Sequence, residues 1–237
     1  MGNDYFRFRN FTINQDRTAM KVGTDGVLLG AWADVSHSSR VADIGTGTGL
    51  IAIMLAQRCD AAITGIEIDA DAALQAMENM GSSPWSSRLD VVTADINDYC
   101  LLHESEFDTI VSNPPFFVED TKGYSEKRNM ARHTDGLDFG SLLRAASVML
   151  KENGRFSVII PWSSASSFIG EAIRHRLNLT RKTEIITKPG SIPKRVLMEF
   201  GKNCSGVSAA TDTLLLSEGG KKTEAYRLLT GGFYLYD

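Results

Sequence analysis

Several features are scarce or missing in this 237-residue chain, and each absence removes a class of protein. Cysteine occurs only at Cys59, Cys100 and Cys204, and this odd number at wide spacing argues against a disulfide framework and against a zinc site. No apolar run approaches the roughly 18 residues of a membrane span, and the first residues lack the apolar core of a signal peptide. We therefore expect a cytoplasmic protein with no membrane partner and no bound metal.

An excess of positive charge is also missing from the chain as a whole, whose net charge is −4. The charge is nevertheless unevenly distributed. Residues 1–120 carry 7 Lys/Arg and 18 Asp/Glu, whereas residues 121–237 carry 18 Lys/Arg and 11 Asp/Glu. A basic second half on an acidic protein is typical of a face that binds a polyanion, although solvated surface charge gives the same count.

The chain is organised around an apolar strand, a glycine loop and an apolar helix. The strand begins at Arg40, the loop contains Gly45, Gly47 and Gly49, and the helix runs from about Leu50 to Arg58. Glycine permits positive φ and close approach of the backbone to a ligand, and the start of the helix directs free N–H groups at the same place. The pattern predicts a cofactor loop, although a tight turn without a ligand has the same glycines.

Two acidic residues narrow the choice of cofactor. Asp43 immediately precedes the loop, where a carboxylate would repel a pyrophosphate but would suit a positively charged ligand. The Gly-x-Gly-x-Gly spacing also differs from the Gly-x-Gly-x-x-Gly of dinucleotide folds. Residues 62–67 form the predicted second strand, and its last residue, Glu67, is placed to accept both ribose hydroxyls. S-adenosylmethionine carries a sulfonium, an ammonium and no phosphate, so it is the cofactor that this pattern favours.

A second motif, Asn113-Pro114-Pro115-Phe116, follows the predicted fourth strand at residues 107–112. The two prolines fix φ and remove two backbone donors, so the loop is rigid and rich in acceptors. If Asn113 Oδ1 and the Pro114 carbonyl each accept an N–H, they stabilise charge on a planar amino nitrogen as it attacks a methyl group. Phe116 would stack on the planar substrate. The same tetrapeptide is also a plausible turn at the end of a strand.

The remaining segments predict a doubly wound α/β domain. Period-two alternation of residues 6–13 predicts a short N-terminal strand, and Thr24 or Asp25 is a candidate cap for a helix that follows. The other predicted helices cover residues 69–79, 138–150 (closed by Asn153-Gly154) and 163–176. The other predicted strands cover residues 89–92, 155–160, 179–187, 196–200 and 213–216, with a terminal cap at 233–236.

Basic residues concentrate in two segments of the second half. The polar segment from Val118 to Asp138 has no clear periodicity and predicts a substrate loop. Its candidate RNA contacts are Lys122, Lys127, Arg128, Arg132 and His133, although a lone histidine among arginines is more often a surface residue. The turn at residues 188–195 adds the candidate phosphate contacts Lys188, Lys194 and Arg195.

The glycine loop resembles motif I of the class I S-adenosylmethionine-dependent methyltransferases, and Asn-Pro-Pro-aromatic is the signature of enzymes of that class that act on amino nitrogens. Nearly the whole chain resembles the bacterial tRNA1(Val) (adenine(37)-N6)-methyltransferases. The segments that carry this second resemblance are Phe11–Asn14, Met20–Trp32, Asp43–Gly49, Asn113–Phe116, Ala131–His133 and Lys194–Arg195. The resemblance implies transfer of a methyl group from S-adenosylmethionine to N6 of adenine 37 in a valine tRNA.

The same resemblance implies a seven-stranded Rossmann-like sheet with helices on both faces and an antiparallel last strand pair. It divides a single domain into an N-terminal cap over the cofactor (1–35), a core sheet (40–200) and a small C-terminal extension (203–237), and we expect a monomer. It places further residues near the cofactor, with Asp95 accepting from the adenine amino group. These further residues are Lys21, Thr24, Asp25, Ile68, Asp95, Ile96 and also Asn113.

The sequence also allows other acceptors of the methyl group. They are guanine N2 in ribosomal RNA, adenine N6 in DNA and glutamine N5 in protein, and a noncatalytic RNA-binding module is a further alternative. A glutamine methyltransferase usually has an added N-terminal domain, which the short segment before the glycine loop does not supply.

Overall fold

A computed structural model describes residues 3–18, 20–115, 138–204, 206 and 208–235 of the chain. A central sheet of eight strands runs through the molecule in the order β10-β8-β9-β7-β6-β3-β4-β5. Its strands are β3 (Arg40–Ile44), β4 (Ala62–Glu67), β5 (Leu89–Thr93), β6 (Phe107–Ser112), β7 (Leu150–Pro161), β8 (Leu177–Ile186), β9 (Arg195–Lys202) and β10 (Ala210–Leu215). All neighbouring pairs are parallel except those of β9, which is antiparallel to both β7 and β8.

Seven α-helices and two small hairpins complete the described part of the chain. The helices are α1 (Thr24–Trp32), α2 (Leu50–Ala56), α3 (Ala70–Gly81), α4 (Ile96–Leu102), α5 (Phe139–Met149), α6 (Ala165–Arg174) and α7 (Glu224–Thr230). One hairpin pairs β1 (Tyr5–Arg7) with β2 (Thr12–Asn14), and the other pairs β11 (Ser217–Glu218) with β12 (Lys221–Lys222). No helix within these residues is long and apolar enough to cross a membrane.

The core lies on both faces of the sheet because successive strand residues point to opposite sides. Val41, Val111 and Leu197 join one buried cluster, together with residues of α1, α2 and α3. Ala42 and Ile110 join the other, together with residues of α4, α5 and α6. The near-continuous apolar strands of the sequence are therefore those of a sheet that is covered on both faces.

The number of strands in the central sheet differs from the seven of the prediction. The segment predicted as a small terminal strand at 213–216 forms β10, which pairs in parallel with β8 and so becomes an eighth strand. The sheet therefore continues beyond residue 200. The predicted antiparallel pair is present as β8 and β9. β10 covers the edge of β8, whose backbone groups would otherwise be free to pair with another chain.

Two element boundaries were wrong. Helix α5 ends at Met149, and β7 begins at Leu150, so Asn153-Gly154 lies within the strand instead of closing the helix. Asn153 adopts φ of 62°, and the register of β7 against β6 shifts in this region, which explains how a turn-like pair of residues is held in a strand. The segment predicted as a terminal cap agrees with the structure as far as residue 235, since Phe233 within it is buried.

Candidate active site

A cavity of about 1250 Å³ lies at the carboxyl ends of the central strands. The chain runs from β3 outward through β4 to β5, and then returns to the other side of β3 with β6. The cavity is therefore at the switch point between β3 and β6, where open α/β sheets bind their ligands. Its wall contains the glycine loop, the ends of β4 and β5, the Asn113 loop and the start of α1.

The glycine loop presents bare backbone to this cavity. Gly45 and Gly47 have φ of 70° and 55°, and a Cβ built on either would have no atom within 4 Å. A side chain there would project into the space that a ligand needs, so the two glycines form a cradle. Gly49 has another role, because it precedes α2 with φ of 79° and its Cβ would lie 3.2 Å from Met80 Cε. It permits close packing against α3 and is not part of the cavity wall.

Asp43 lies beneath the loop, not in the cavity wall as its predicted contact with the cofactor would require. Its side chain is fully buried, and Oδ2 accepts a hydrogen bond from Thr46 Oγ1 at 2.7 Å, whereas Oδ1 has no hydrogen-bond partner. Burial raises the pKa of Asp43 to about 7, although the bond from Thr46 acts in the opposite direction. Asp43 therefore supports the loop from below.

Glu67 does line the cavity, at the carboxyl end of β4, and its carboxylate is tied to backbone. Oε2 accepts from the N–H of Gly47 at 2.8 Å, and Oε1 accepts from the N–H groups of Ile68 and Asp69 at 3.0 and 3.1 Å. These bonds join the glycine loop to the turn after β4. A carboxylate has about four lone-pair sites, so Glu67 retains acceptor capacity for the predicted ribose contact. Ile68 stands beside it with an exposed side chain in the wall.

Asp95 occupies the corresponding place after β5 and serves as the N-cap of α4. Its Oδ1 accepts from the N–H of Asn97 at 2.8 Å and from Asn97 Nδ2 at 3.0 Å. The capping role that the sequence left open is thus present, and Asp95 also lines the cavity together with Ile96, whose side chain is buried. The predicted adenine contact of Asp95 stays a prediction.

The Asn113 loop supplies the most distinctive group in the wall. Asn113 is half-buried, and its Oδ1 is a buried acceptor without a hydrogen-bond partner among residues 3–115 and the other described segments. It follows β6 directly, and Ser112 is paired with Ile44 in the adjacent strand, so this amide lies beside the start of the glycine loop. Pro114 and Pro115 also line the cavity. Phe116, the fourth residue of the motif, lies outside the described residues.

Helix α1 brings one predicted cofactor residue and one predicted RNA residue together. The N-cap is Gly23, so neither Thr24 nor Asp25 caps the helix. The Asp25 carboxylate accepts instead from Arg195 Nε at 2.7 Å across 170 positions of sequence. Arg195 is thereby engaged in an ion pair in the cavity wall, and its predicted phosphate contact stays a prediction. Lys21 and Thr24 line the same cavity, and Lys21 Nζ also donates to the Asn3 carbonyl at 3.2 Å.

The predicted RNA residues fall into two groups. Lys188 and Lys194 are exposed in the turn between β8 and β9, at the carboxyl edge of β8 where the cavity also opens. The substrate loop lies outside the described residues, so its candidates stay predictions. Those residues are Lys122, Lys127, Arg128, Arg132 and His133.

Sequence reasoning missed the part played by Thr46. Its hydroxyl holds Asp43, and its side chain fills the space above Gly65, where a Cβ would lie 2.8 Å from Thr46 Cγ2. The signal was the threonine within the glycine motif, but its partner became evident only with the pairing of β3 and β4.

Charge in the cavity wall is predominantly negative. Among the described residues, six acidic and three basic side chains contribute to it. The acidic residues are Asp25, Glu67, Asp69, Asp71, Asp95 and Asp138, and the basic residues are Arg17, Lys21 and Arg195. Because Arg17 and Arg195 are paired with carboxylates of Glu78 and Asp25, the wall suits a ligand of positive charge better than a phosphate.

Comparison with known proteins agrees with this architecture. Residues 20–165 match the family model of the methyltransferase small domain. A tRNA1(Val) (adenine(37)-N6)-methyltransferase of Phocaeicola vulgatus is 50% identical over 99% of both chains, and one of Cronobacter sakazakii is 40% identical over 98% of this chain and 95% of that protein. In fold, a crystal structure described as a predicted O-methyltransferase from Agrobacterium tumefaciens aligns with a TM-score of 0.70 at 24% identity, covering 88% of this chain and 96% of that one. The chain therefore belongs to the methyltransferase small domain family and, within it, to the family of the bacterial tRNA1(Val) (adenine(37)-N6)-methyltransferases.

Proposed function

We propose that this protein transfers a methyl group from S-adenosylmethionine to N6 of an adenine in tRNA, namely adenine 37 next to the anticodon of tRNA1(Val). The observation that carries the proposal is the buried, unpartnered Oδ1 of Asn113 in the wall of the cavity. A buried acceptor without a donor costs about 1–3 kcal/mol, and an amino N–H of a substrate removes that cost on binding.

The residues present fit S-adenosylmethionine. The cradle at Gly45 and Gly47 leaves room for a ligand against the backbone, and the wall is predominantly acidic. When bound, S-adenosylmethionine supplies an electrophilic methyl group on a positively charged sulfur. Glu67 would hold the ribose hydroxyls, and Asp95 would accept from the adenine amino group.

The chemistry assigned to the protein is the positioning and polarisation of the substrate amine. The N6 lone pair of adenine is delocalised into the ring, so this nitrogen is a weak nucleophile. Asn113 Oδ1 accepts one N–H and thereby stabilises the positive charge that develops on nitrogen as its bond to the methyl carbon forms. The Pro114 carbonyl is the predicted acceptor for the second N–H, and the proton that nitrogen loses passes to water.

The choice of tRNA rests on relatives such as those of Phocaeicola vulgatus, Bacteroides fragilis and Cronobacter sakazakii, which carry this name at 40–50% identity over nearly the full chain. An acceptor pair of this kind recognises any planar amino or amide nitrogen. Guanine N2 in ribosomal RNA, adenine N6 in DNA and glutamine N5 in protein are therefore outcomes of the test, as is binding of RNA without catalysis.

The test is nucleoside mass spectrometry on unmodified tRNA1(Val) after incubation with the protein and S-adenosylmethionine, with other unmodified tRNAs in parallel. We expect N6-methyladenosine at position 37 of the valine tRNA alone. A tRNA1(Val) transcript that carries guanine at position 37 is the matched control and should receive no methyl group. Methyl transfer to that control, or to none of the RNAs, would overturn the assignment.

A further inference from the structure

Trp162 is an aromatic residue at the carboxyl edge of the sheet that the proposed chemistry does not use. It directly follows β7, and β7 lies between β6, which leads into the Asn113 loop, and β9, which begins at Arg195. The last residue of β7, Pro161, pairs with Arg195. Since neighbouring strands are about 4.8 Å apart, Trp162 emerges within one or two strand spacings of the Asn113 loop.

The backbone of Trp162 is held in place, and its side chain remains partly open to solvent. The backbone N–H donates to the Lys194 carbonyl at 3.2 Å, which fixes the start of the turn after β7. The hydrogen bond from Lys182 at 3.0 Å and, after it, the Trp162 indole lower the pKa of the Glu184 carboxyl in β8, so the indole lies near that residue. Of Trp162, 41% is exposed. An indole on an anchored backbone with part of its surface uncovered can serve as a stacking platform.

The surroundings of Trp162 favour a nucleic acid as its partner. Lys194 and Lys188 are exposed in the turn between β8 and β9, and the Lys194 backbone is bonded to that of Trp162. An aromatic face beside fixed positive charge fits a nucleotide, whose base stacks while its phosphate meets a lysine. A protein partner would instead require a broader apolar surface at this edge.

We propose that Trp162 stacks on a base of the RNA strand that neighbours the target adenine, between the Asn113 loop and the basic turn of Lys188 and Lys194. This inference rests on the proposed function for the kind of substrate, but it assigns a contact outside the cavity. The stacked base holds the strand in register while the target base enters the cavity, so Trp162 contributes to substrate binding and not to the chemical step.

The experiment compares Trp162→Ala, Trp162→Leu and Trp162→Phe with the wild type, using unmodified tRNA1(Val). Binding of tRNA is measured by fluorescence anisotropy, methyl transfer by steady-state kinetics, and affinity for S-adenosylhomocysteine by calorimetry. We expect Trp162→Ala to weaken tRNA binding and to raise KM by about 5- to 100-fold. The kcat value and the cofactor affinity should stay within about twofold, since neither depends on stacking outside the cavity.

The conservative variants separate stacking from simple packing. Trp162→Phe keeps an aromatic face and should restore binding to within about threefold of the wild type, whereas Trp162→Leu, which is apolar but has no π face, should resemble Trp162→Ala. Leu102→Ala is the control, because Leu102 is 83% exposed at the end of α4, far from this edge. That variant should leave all three measurements unchanged.

Quenching by acrylamide gives a readout that a merely structural role would not change. Trp32 is buried and Trp85 is half-buried, so Trp162 provides the most accessible tryptophan emission. Bound tRNA should reduce quenching in the wild type and have little effect on quenching in Trp162→Phe.

Each unfavourable outcome identifies what has failed. Unchanged tRNA binding in Trp162→Ala, or equal binding by the Leu and Phe variants, would overturn the stacking role. Loss of cofactor affinity together with tRNA binding would mean that Trp162 is structural. A wild type that binds tRNA without methylating it would overturn the proposed function alone, since the binding comparison of the variants still decides the role of Trp162.

Discussion

Acidic and amide side chains lie at the strand ends in two regions of this sheet, the outer strands β4 and β5 and the switch point between β3 and β6. The hydrogen bonding of these side chains differs between the two regions. At the ends of β4 and β5, Glu67 and Asp95 each accept from backbone N–H groups of their own turn, and Glu67 also accepts from the N–H of Gly47 in the glycine loop. At the switch point, Asp43 and Asn113 each keep a buried oxygen without a hydrogen-bond partner among the described residues. The outer side chains are therefore satisfied within the protein, whereas each inner oxygen carries a cost, and of the two residues only Asn113 lines the cavity, where a ligand can remove it.

Removing the amide at the switch point should have the largest effect. We expect Asn113→Ala to lower kcat by about 10²- to 10³-fold, the range for loss of one acceptor or donor that acts on developing charge. Affinity for S-adenosylhomocysteine and the melting temperature should change little, because the lost oxygen has no hydrogen-bond partner in the described part of the chain. Single-turnover kinetics and calorimetry provide the two measurements.

Two further variants complete that comparison. Asn113→Asp retains an acceptor and should keep more activity than Asn113→Ala. Asn178→Ala, near the opposite end of β8, is the matched control and should leave kcat unchanged. Equal losses of kcat and of cofactor affinity in Asn113→Ala would remove the difference between the two regions.

The pH dependence of stability tests the second inner side chain. Because burial raises the pKa of Asp43 from 3.8 to about 7, the folded protein retains a proton that the unfolded chain loses over this range. The contribution of Asp43 to stability therefore falls as pH rises from about 4 to about 7, by at most about 1.4 kcal/mol per pH unit, and is constant above that window. Asp43→Asn removes this dependence and retains an acceptor for Thr46.

Urea unfolding across this pH range measures the difference between Asp43→Asn and the wild type, in which the titration of other groups cancels. The variant should gain stability relative to the wild type up to about pH 7 and no further. If the stabilities of the two proteins change in parallel with pH, Asp43 is ionised at all these pH values. Burial of its carboxyl would then cost less than the structure indicates.

Removal of the outer carboxylate of Glu67 should lower stability as well as cofactor affinity, unlike removal of the Asn113 amide. Glu67→Ala removes the acceptor of three backbone N–H groups, so we expect both a loss of about 1–2 kcal/mol in the free energy of unfolding and an affinity for S-adenosylhomocysteine about tenfold weaker. Glu67→Gln keeps one acceptor oxygen and should lie between. Calorimetric loss of affinity without any loss of stability would contradict the self-supporting role of the outer strands.

The smallest effect is expected outside the cavity. Replacing Lys188 and Lys194 together with glutamine should reduce the slope of log K for tRNA against log salt by about 1.4, if each lysine meets one phosphate. Arg195 is left unchanged, since its loss would also break the pair with Asp25. Arg174→Gln, an exposed site at the end of α6, is the control. An unaltered slope in the double variant would place the RNA face elsewhere.

Most of the predictions made from the sequence rest on short contiguous motifs. The glycine loop and the Asn113 loop are each contiguous, and the structure places both in one cavity because parallel strands end at one edge. The pairing of Asp25 with Arg195 could not be predicted, since these residues are 170 positions apart and each was assigned a different role. The eighth strand was missed because nothing in residues 210–215 indicates which edge they join.

The meeting of the two ends of the described chain sets an order of events during synthesis. The N–H of Arg9 donates to the Phe233 carbonyl at 2.8 Å, and the ring of Phe8 stacks on Tyr234 at 6.0 Å between centroids. Phe8 and Phe233 are 225 positions apart. At translation rates of about 5–20 residues per second, Phe233 is therefore synthesised on the order of 10 to 45 s after Phe8. The N-terminal hairpin, which packs through Asn14 on Asn79 of α3 beside the cavity, therefore completes its packing only after Phe233 and Tyr234 have been synthesised.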